Sequence, residues 1–351
     1  MKSRGGNFFE DFRLGARFAH ATPRTLTDGD AALYVALTGA RHVLHSSRPV
    51  AHGLGFHDRT LDDMLVFNVA FGKTVPDISL NAVANLGYAE MQFLAPCYPG
   101  DTLRAKSEVI GLRETSSGKA GVVYVRSNAF NQDNHRVLTW VRWVMVQKKN
   151  VSAPAPVPQV PELKSFVPPE ELVVPAGLHA AKFETEVTGS IALWDHYEIG
   201  ERIEHSSGMT LDESDHTLAT KLYQNTARVH FDALAMKDTP FGRRLVYGGH
   251  VISVCRALSY DGLENVLSIA AVNGGTHANP TFAGDTLYAY TEVLDKWALP
   301  GRNDIGALRL RLVGLKNNAP AGVKAPQDAD GKYRPDVVLD FDYTVLMPRK
   351  I

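Results

Sequence analysis

Cysteine is scarce: Cys97 and Cys255 are the only two in 351 residues, too few for a disulfide framework and in no metal-ligand spacing. A reduced, cytoplasmic setting is the default expectation. Net charge is lacking as well. The 37 basic and 38 acidic residues leave -1, which gives no electrostatic reason to expect nucleic acid or an acidic membrane as partner. No apolar run is long enough to cross a bilayer. Met1-Lys2-Ser3-Arg4-Gly5-Gly6 leads into Phe8-Phe9-Glu10-Asp11 without the apolar core of a signal peptide. Gly-x-Gly-x-x-Gly, the Walker loop, Gly-x-Ser-x-Gly, His-Glu-x-x-His and Cys-x-x-Cys are all missing. Dinucleotide binding, phosphoryl transfer, elbow-type serine hydrolysis and zinc chemistry therefore lose most of their weight.

What is present is a repeat. Residues 9–45 lie over 194–230 at an offset of 185, matching Gly15 with Gly200, Arg17 with Arg202, His20 with His205, Asp30 with Asp215 and His45 with His230. Further on, Pro96-x-x-x-Gly100-Asp101-Thr102-Leu103 matches Pro280-x-x-x-Gly284-Asp285-Thr286-Leu287 at an offset of 184. So long a period marks a domain duplication rather than a solenoid. The copies read as 1–150 and 178–351. Between them, 151–177 carries seven prolines from Pro154 to Pro175, a stiff extended connector able to cross one copy before starting the next.

Each copy reads alike after its Gly-Asp-Thr-Leu turn. The first strand covers Thr102 to Leu112, or Thr286 to Trp297. The second covers Gly121 to Phe130, or Ala307 to Leu315, and the third Val137 to Gln147, or Val337 to Met347. In the last of these Leu339, Phe341, Tyr343 and Val345 alternate with Asp340, Asp342 and Thr344, so one face is buried. Gly248 to Leu258 reads as the principal helix of the second copy, and Asp63 to Phe71 as its weaker counterpart in the first. A long helix wrapped by an antiparallel meander, an α+β arrangement, is the simplest layered solution. Asp101 and Asp285 are read as turn residues bonding local amides.

The segments Tyr223-Gln224-Asn225-Thr226-Ala227-Arg228-Val229-His230 and Gly242-Arg243-Arg244-Leu245-Val246-Tyr247-Gly248-Gly249-His250, with both Gly-Asp-Thr-Leu turns, resemble the MaoC-like hydratases. The doubled length resembles their two-hot-dog branch, and Val66-Phe67, Phe71 to Asp77 and Asp336 to Tyr343 are similar to the mesaconyl-CoA hydratases within it. The resemblance spans the whole chain. It implies a double hot-dog fold, an enoyl-CoA thioester substrate, hydro-lyase activity and no metal or organic cofactor. Paired hot-dog units often assemble further, so a homodimer is an expectation that no residue here supports.

The family's loop pairs an acid with a histidine. Here the acid position holds Asn225 in the second copy and Ala40 in the first, while His230 and His45 remain. Asn225 can orient water but cannot take its proton, which leaves His230 as the loop's general base. By resemblance Gly248 supplies an oxyanion amide at the helix start, with Gly249 beside it. Arg228 is expected to read a substrate carboxylate, with pairing to Asp232 as the plain alternative. Arg243, Arg244 and Lys73 are candidates for the CoA phosphates. Tyr247 and His250 lie near the site, and a packing role is the ordinary reading of such residues. His45 beside Ala40 is expected to be structural. A broader (R)-specific enoyl-CoA hydratase, a non-catalytic acyl-CoA-binding protein and a thioesterase remain open readings.

Overall fold

The structure, a computed structural model, describes residues 5–350. Met1 to Arg4, on which part of the amino-terminal reading falls, and Ile351 lie outside them. The first copy contributes β1 (Arg17–Ala19), β2 (Arg24–Thr25), α1 (Asp28–Thr38), α2 (Val43–Ser46), α3 (Arg48–Gly53), α4 (Asp63–Ile78), β3 (Ala82–Phe93), β4 (Thr102–Glu114), β5 (Ala120–Phe130) and β6 (Arg136–Gln147). The second contributes β7 (Arg202–Glu204), β8 (Met209–Thr210), α5 (Glu213–Leu222), α6 (Ala233–Met236), α7 (Gly248–Leu258), β9 (Ser268–Thr276), β10 (Thr286–Ala298), β11 (Ile305–Lys316) and β12 (Val337–Pro348).

Local chemistry sets the element ends twice over. Gly15 and Gly200 both take left-handed φ values, 74° and 87°, and each donates its amide to a valine carbonyl at 2.8 Å, Val109 in one copy and Val293 in the other. Asp101 Oδ2 accepts from the Tyr98 amide at 2.7 Å and Asp285 Oδ2 from the Phe282 amide at 2.8 Å, as their turn reading requires. His20 and His205 are both buried, each ring holding a hydroxyl on the strand that follows: Ser107 at 2.7 Å and Thr291 at 2.8 Å.

The strands form one antiparallel sheet in the order β1-β4-β5-β6-β3-β9-β12-β11-β10-β7, with β2 and β8 pairing off its path. Its two halves repeat one topology and meet where β3 pairs with β9, Tyr88 opposite Gly275 and Met91 opposite Val272. Two readings from the sequence need correction. Each meander has a fourth strand, β3 or β9, ahead of the three expected ones. The first copy's helix does not stop at Phe71: α4 continues to Ile78 with Pro76 inside its last turn, which makes it the longer helix of the pair. The helix read at Gly248–Leu258 is α7 itself. The proline-rich connector crosses the sheet: Gln159 exchanges amide bonds with Leu112 on β4, Lys164 bonds Glu90 on β3, and Val167 bonds Asn273 on β9.

Both central helices are covered on nearly all sides, and ten of the eleven residues of α7 are buried. Each fully buried Val, Ile or Leu there contributes about 1.5–3 kcal/mol. The helices also pack on each other. Asn68 on α4 donates to the Gly249 carbonyl at 3.2 Å and to Ser253 Oγ at 3.0 Å, and it falls on Ser253 itself at the repeat offset of 185. Gly72 brings α4 against the second copy's loop, where an added Cβ would lie 1.9 Å from the Tyr223 carbonyl oxygen. In an exposed helix Gly→Ala adds about 1 kcal/mol of stability. Here Gly72→Ala should instead cost about 1–3 kcal/mol or more through overpacking against backbone, read as a lowered urea midpoint at unchanged slope.

Candidate active site

After α5 the chain must turn sharply. At the equivalent point in the first copy Gly39 takes φ 72°; in the second Gln224 takes φ 53°, a left-handed conformation that costs a non-glycine residue about 1–2 kcal/mol. The turn buries Asn225, whose amide bonds the Thr220 carbonyl at 3.1 Å. Asn225 Oδ1 accepts from the Ala227 amide at 3.0 Å, so its Nδ2 is the end left for a ligand, a donor and not an acceptor. One 3-10 turn later, at Arg228–His230, His230 Nδ1 lies 3.0 Å from the Leu245 carbonyl. A carbonyl only accepts, so Nδ1 carries the proton and Nε2 holds the lone pair.

Leu245 leads into Tyr247, whose extended backbone caps α7 without a side-chain bond. The amides of Gly248 and Gly249, first in the helix, therefore have no partner within it and carry the positive end of its dipole. Gly248 is required by packing: an added Cβ would lie 2.4 Å from His277 Cε1. His277 follows β9, and its Nε2 lies 3.3 Å from the Tyr88 hydroxyl. The Tyr247 ring packs 5.4 Å from the His230 ring. Burial pushes both His230 and His277 down to about 4, with the neighbouring His216 and His230 respectively adding to the effect. Both are neutral at physiological pH.

A cleft of about 590 Å³ opens between the copies, lined by Thr22 and Lys73 from the first and by Lys221, Gln224, Asn225 and Phe231 from the second. Lys73 Nζ donates to the Thr22 carbonyl at 2.6 Å, and burial, aided by Arg24, lowers its pKa to about 8. Of the three cations expected for the CoA phosphates, only Lys73 lines this cleft. Arg244 is paired with Glu213 and donates to Thr217 Oγ1 at 2.9 Å. The exposed Arg243 lies 3.8 Å over the Phe282 ring. Arg228 is exposed and makes no ion pair with Asp232 or any other acid among the described residues. His250 is fully buried, both ring nitrogens lack a partner, and burial takes it down to about 4. It is the third residue of α7.

The first copy's counterpart is closed. His45 is buried against Thr60 Oγ1 at 2.8 Å. At the offset of 185, Asp63 stands where Gly248 is and Asp62 where Tyr247 is. Arg256, fully buried on α7, holds Asp62 at 2.9 Å and Asp63 at 3.9 Å, which keeps the Asp62 carboxyl well below the usual range. Two carboxylates at a helix start leave no place for a developing oxyanion. His277, Tyr88, Lys221 and Gln224 were not among the expected site residues. Only Gln224 carried a signal, since it stands where Gly39 stands in the first copy.

The mesaconyl-CoA hydratase family model matches residues 2–323. A β-methylmalyl-CoA dehydratase from Chloroflexus aurantiacus is 56% identical over 349 residues, 99% of each chain. A mesaconyl-CoA hydratase from Cereibacter sphaeroides is 54% identical over 351 residues, covering 99% of this chain and 100% of its own. The crystal structure of a MaoC domain dehydratase from Chloroflexus aurantiacus superposes with a TM-score of 0.98 over 100% of both chains at 56% identity. A double hot-dog protein from Mycobacterium tuberculosis, 24% identical, matches 98% of this chain and 99% of its own at TM-score 0.77 and shows the same fold. With this fold and a match along nearly its whole length, the chain belongs to the mesaconyl-CoA hydratase family.

Proposed function

We propose that this chain is a hydro-lyase that adds water reversibly to mesaconyl-C1-CoA to give β-methylmalyl-CoA, with its one working site in the second copy. The observation that carries this reading is a His230 of fixed tautomer packed on Tyr247, the residue that caps α7 and precedes its open amides. His230 Nε2 takes a proton from water as the water oxygen bonds to the carbon β to the thioester. Electrons of the double bond move toward the thioester oxygen, and the enolate so formed accepts from the Gly248 amide, with Gly249 adjacent. The proton returns to the α-carbon, so atoms balance and no cofactor is consumed. Asn225 Nδ2 donates to the attacking water's oxygen and orients its lone pair. Lys73 and Lys221 line the cleft as cations for the CoA phosphates, with the exposed Arg228 and Arg243 and the half-buried Arg244 elsewhere on the second copy.

His230→Ala should lower kcat on mesaconyl-C1-CoA by about 10²–10⁴-fold, the usual range for a lost general base. Affinity for the thioester should stay within a few-fold. The loss of enoyl absorbance and the product mass read the first, and calorimetry the second; an unchanged kcat contradicts the assignment.

The pH profile has a definite sign. A base depressed to about 4 is neutral above that value, so kcat/KM should hold as pH falls past 6 and drop only through about 4–5. An acid limb centred near 6.5 would contradict the burial argument. Lys73 loses its charge as pH rises through about 8. KM for the thioester should therefore rise above that point, and Lys73→Met should raise KM at neutral pH while removing the alkaline rise.

A further inference from the structure

One buried cation in the first copy has no counter-ion. Arg142 on β6 is completely buried, and no carboxylate lies within ion-pair distance of it among the described residues. Its guanidinium lies 4.1 Å from the Phe71 ring centroid, and Nη2 donates to Thr74 Oγ1 at 2.8 Å and Ser79 Oγ at 3.3 Å. Nε and Nη1 are buried and bonded to nothing. Arginine cannot escape by losing its proton, so an unpaired guanidinium in the interior is costly and is expected to have an anion. Arg256, equally buried, has such a partner in Asp62.

Two phenols stand near Arg142. Tyr88 is its cross-strand partner where β3 pairs with β6, so the two side chains share a face. The Tyr247 hydroxyl is buried without a partner. Both phenols stand near enough for the Arg142 charge to act on their titration. These same two tyrosines reach the proposed catalytic groups: Tyr247 packs on His230, and Tyr88 touches His277, which fills the space beside Gly248. Phe71, 5.8 Å from Tyr247 and 6.3 Å from Tyr88, packs against both rings and against Arg142.

We propose that Arg142, with the hydroxyls of Tyr88 and Tyr247, receives the free carboxylate of the substrate and so separates a dicarboxylic enoyl thioester from a monocarboxylic one. This rests on the hydratase reading above and replaces Arg228 as the carboxylate reader. The substrate sets the reach required. In mesaconyl-C1-CoA the carboxylate hangs on the carbon that water attacks. The path from base to water, to that carbon, to a carboxylate oxygen and to a guanidinium nitrogen is then roughly 9–10 Å long in hydrogen-bond and bond lengths. A carboxylate on the attacked carbon also repels the electron density moving into the substrate, and pairing with a guanidinium relieves that repulsion. Arg142 therefore acts on kcat as well as on KM. An acyl group without the carboxylate leaves the cation buried and unpaired, the situation in which polar sites discriminate most strongly.

The test compares kcat/KM on mesaconyl-C1-CoA and crotonyl-CoA for the wild-type protein, Arg142→Met, Arg142→Lys, Tyr247→Phe and Arg228→Met. Arg142→Met should lower the mesaconyl to crotonyl ratio by about 100-fold or more, as expected for losing a charge-assisted pair. Arg142→Lys should recover part of the ratio. Arg228→Met should leave the ratio unchanged. Equal losses on both thioesters in Arg142→Met, or a selective loss in Arg228→Met instead, overturn the proposal. Should Arg142→Met fail to fold, Tyr247→Phe decides, since it removes only a hydroxyl: the ratio should fall about 5–20-fold, and an unchanged ratio overturns it. If the wild-type protein hydrates neither thioester, the hydratase reading falls by itself. Calorimetric binding of the saturated analogues 2-methylsuccinyl-CoA and butyryl-CoA then tests Arg142 separately. A preference for the diacid that vanishes in Arg142→Met or Tyr247→Phe supports it, and no preference in the wild-type protein overturns it.

Discussion

The contact on which the site depends is the crossing of α4 and α7 at Asn68 and Gly249. The Asn68 amide donates to the Gly249 carbonyl and to Ser253 Oγ, and Ser253 Oγ returns a bond to the Gly249 carbonyl at 2.8 Å. A side chain at 249 would begin 2.0 Å from Asn68 Oδ1, so no other residue lets the helices come so near. Because the first turn of α7 is held against the first copy, its free amides face a fixed direction. The same approach brings Gly72 onto the Tyr223 carbonyl and so sets the loop that carries Asn225 and His230. Electrostatic stabilisation of a developing charge depends on donors that do not move, and two packed helices supply that rigidity.

On the proposed assignment, duplication explains why one molecule can hold both a working site and a sealed one. At the offset of 185 the pair Tyr247 and Phe71 corresponds to Asp62 and Arg256. The first pair is two rings 5.8 Å apart, and the second a buried ion pair 2.9 Å apart. Both fill the same kind of gap between a helix start and the neighbouring helix, so the fold tolerates either. Only the aromatic version leaves the helix amides free of nearby negative charge. The ion pair is also the costlier to break, since removing either member strands a buried charge at a cost of about 3–5 kcal/mol. The first copy thus keeps its architecture while giving up the chemistry.

The sequence made much of this legible. The repeat, the Gly-Asp-Thr-Leu entries, the outer three strands of each half and the whole of α7 follow from spacing and alternation. What it hid has physical reasons. β3 carries three register shifts, and the bulge between Ala89 and Gln92 interrupts the alternation a half-buried strand should show. β9 ends in Asn273-Gly274-Gly275-Thr276, which reads as a turn until the partner strand of the other copy is in place. In α4, Gly72 and Pro76 look like breakers. Yet Gly72 is there for close packing, and Pro76 occupies the last turn, where the helix has few further bonds to lose. The loop of His230 and the helix start at Gly248 were readable as segments because each is local. His277 and Arg142 were not, because their meaning depends on a seam between strands more than 100 residues apart.

The neutral residue at the loop's acid position fits this distribution of charge. Under the hydratase reading the substrate already brings a carboxylate next to the reacting carbon. An aspartate at 225 would add a second anion, at a cost of about 3 kcal/mol for a separation of roughly 6 Å at an effective dielectric of 20. Asn225 keeps the loop bond that an aspartate would make, since its Oδ1 still accepts from Ala227. What it offers the ligand is a donor in place of a charge. The burden of taking the proton then falls on His230, whose burial keeps it neutral, while the burden of meeting the substrate's charge falls on Arg142. A monocarboxylic enoyl thioester would gain nothing from either change. On this account the loss of the acid and the presence of an unpaired buried arginine are two halves of one adjustment to a substrate that carries its own negative charge.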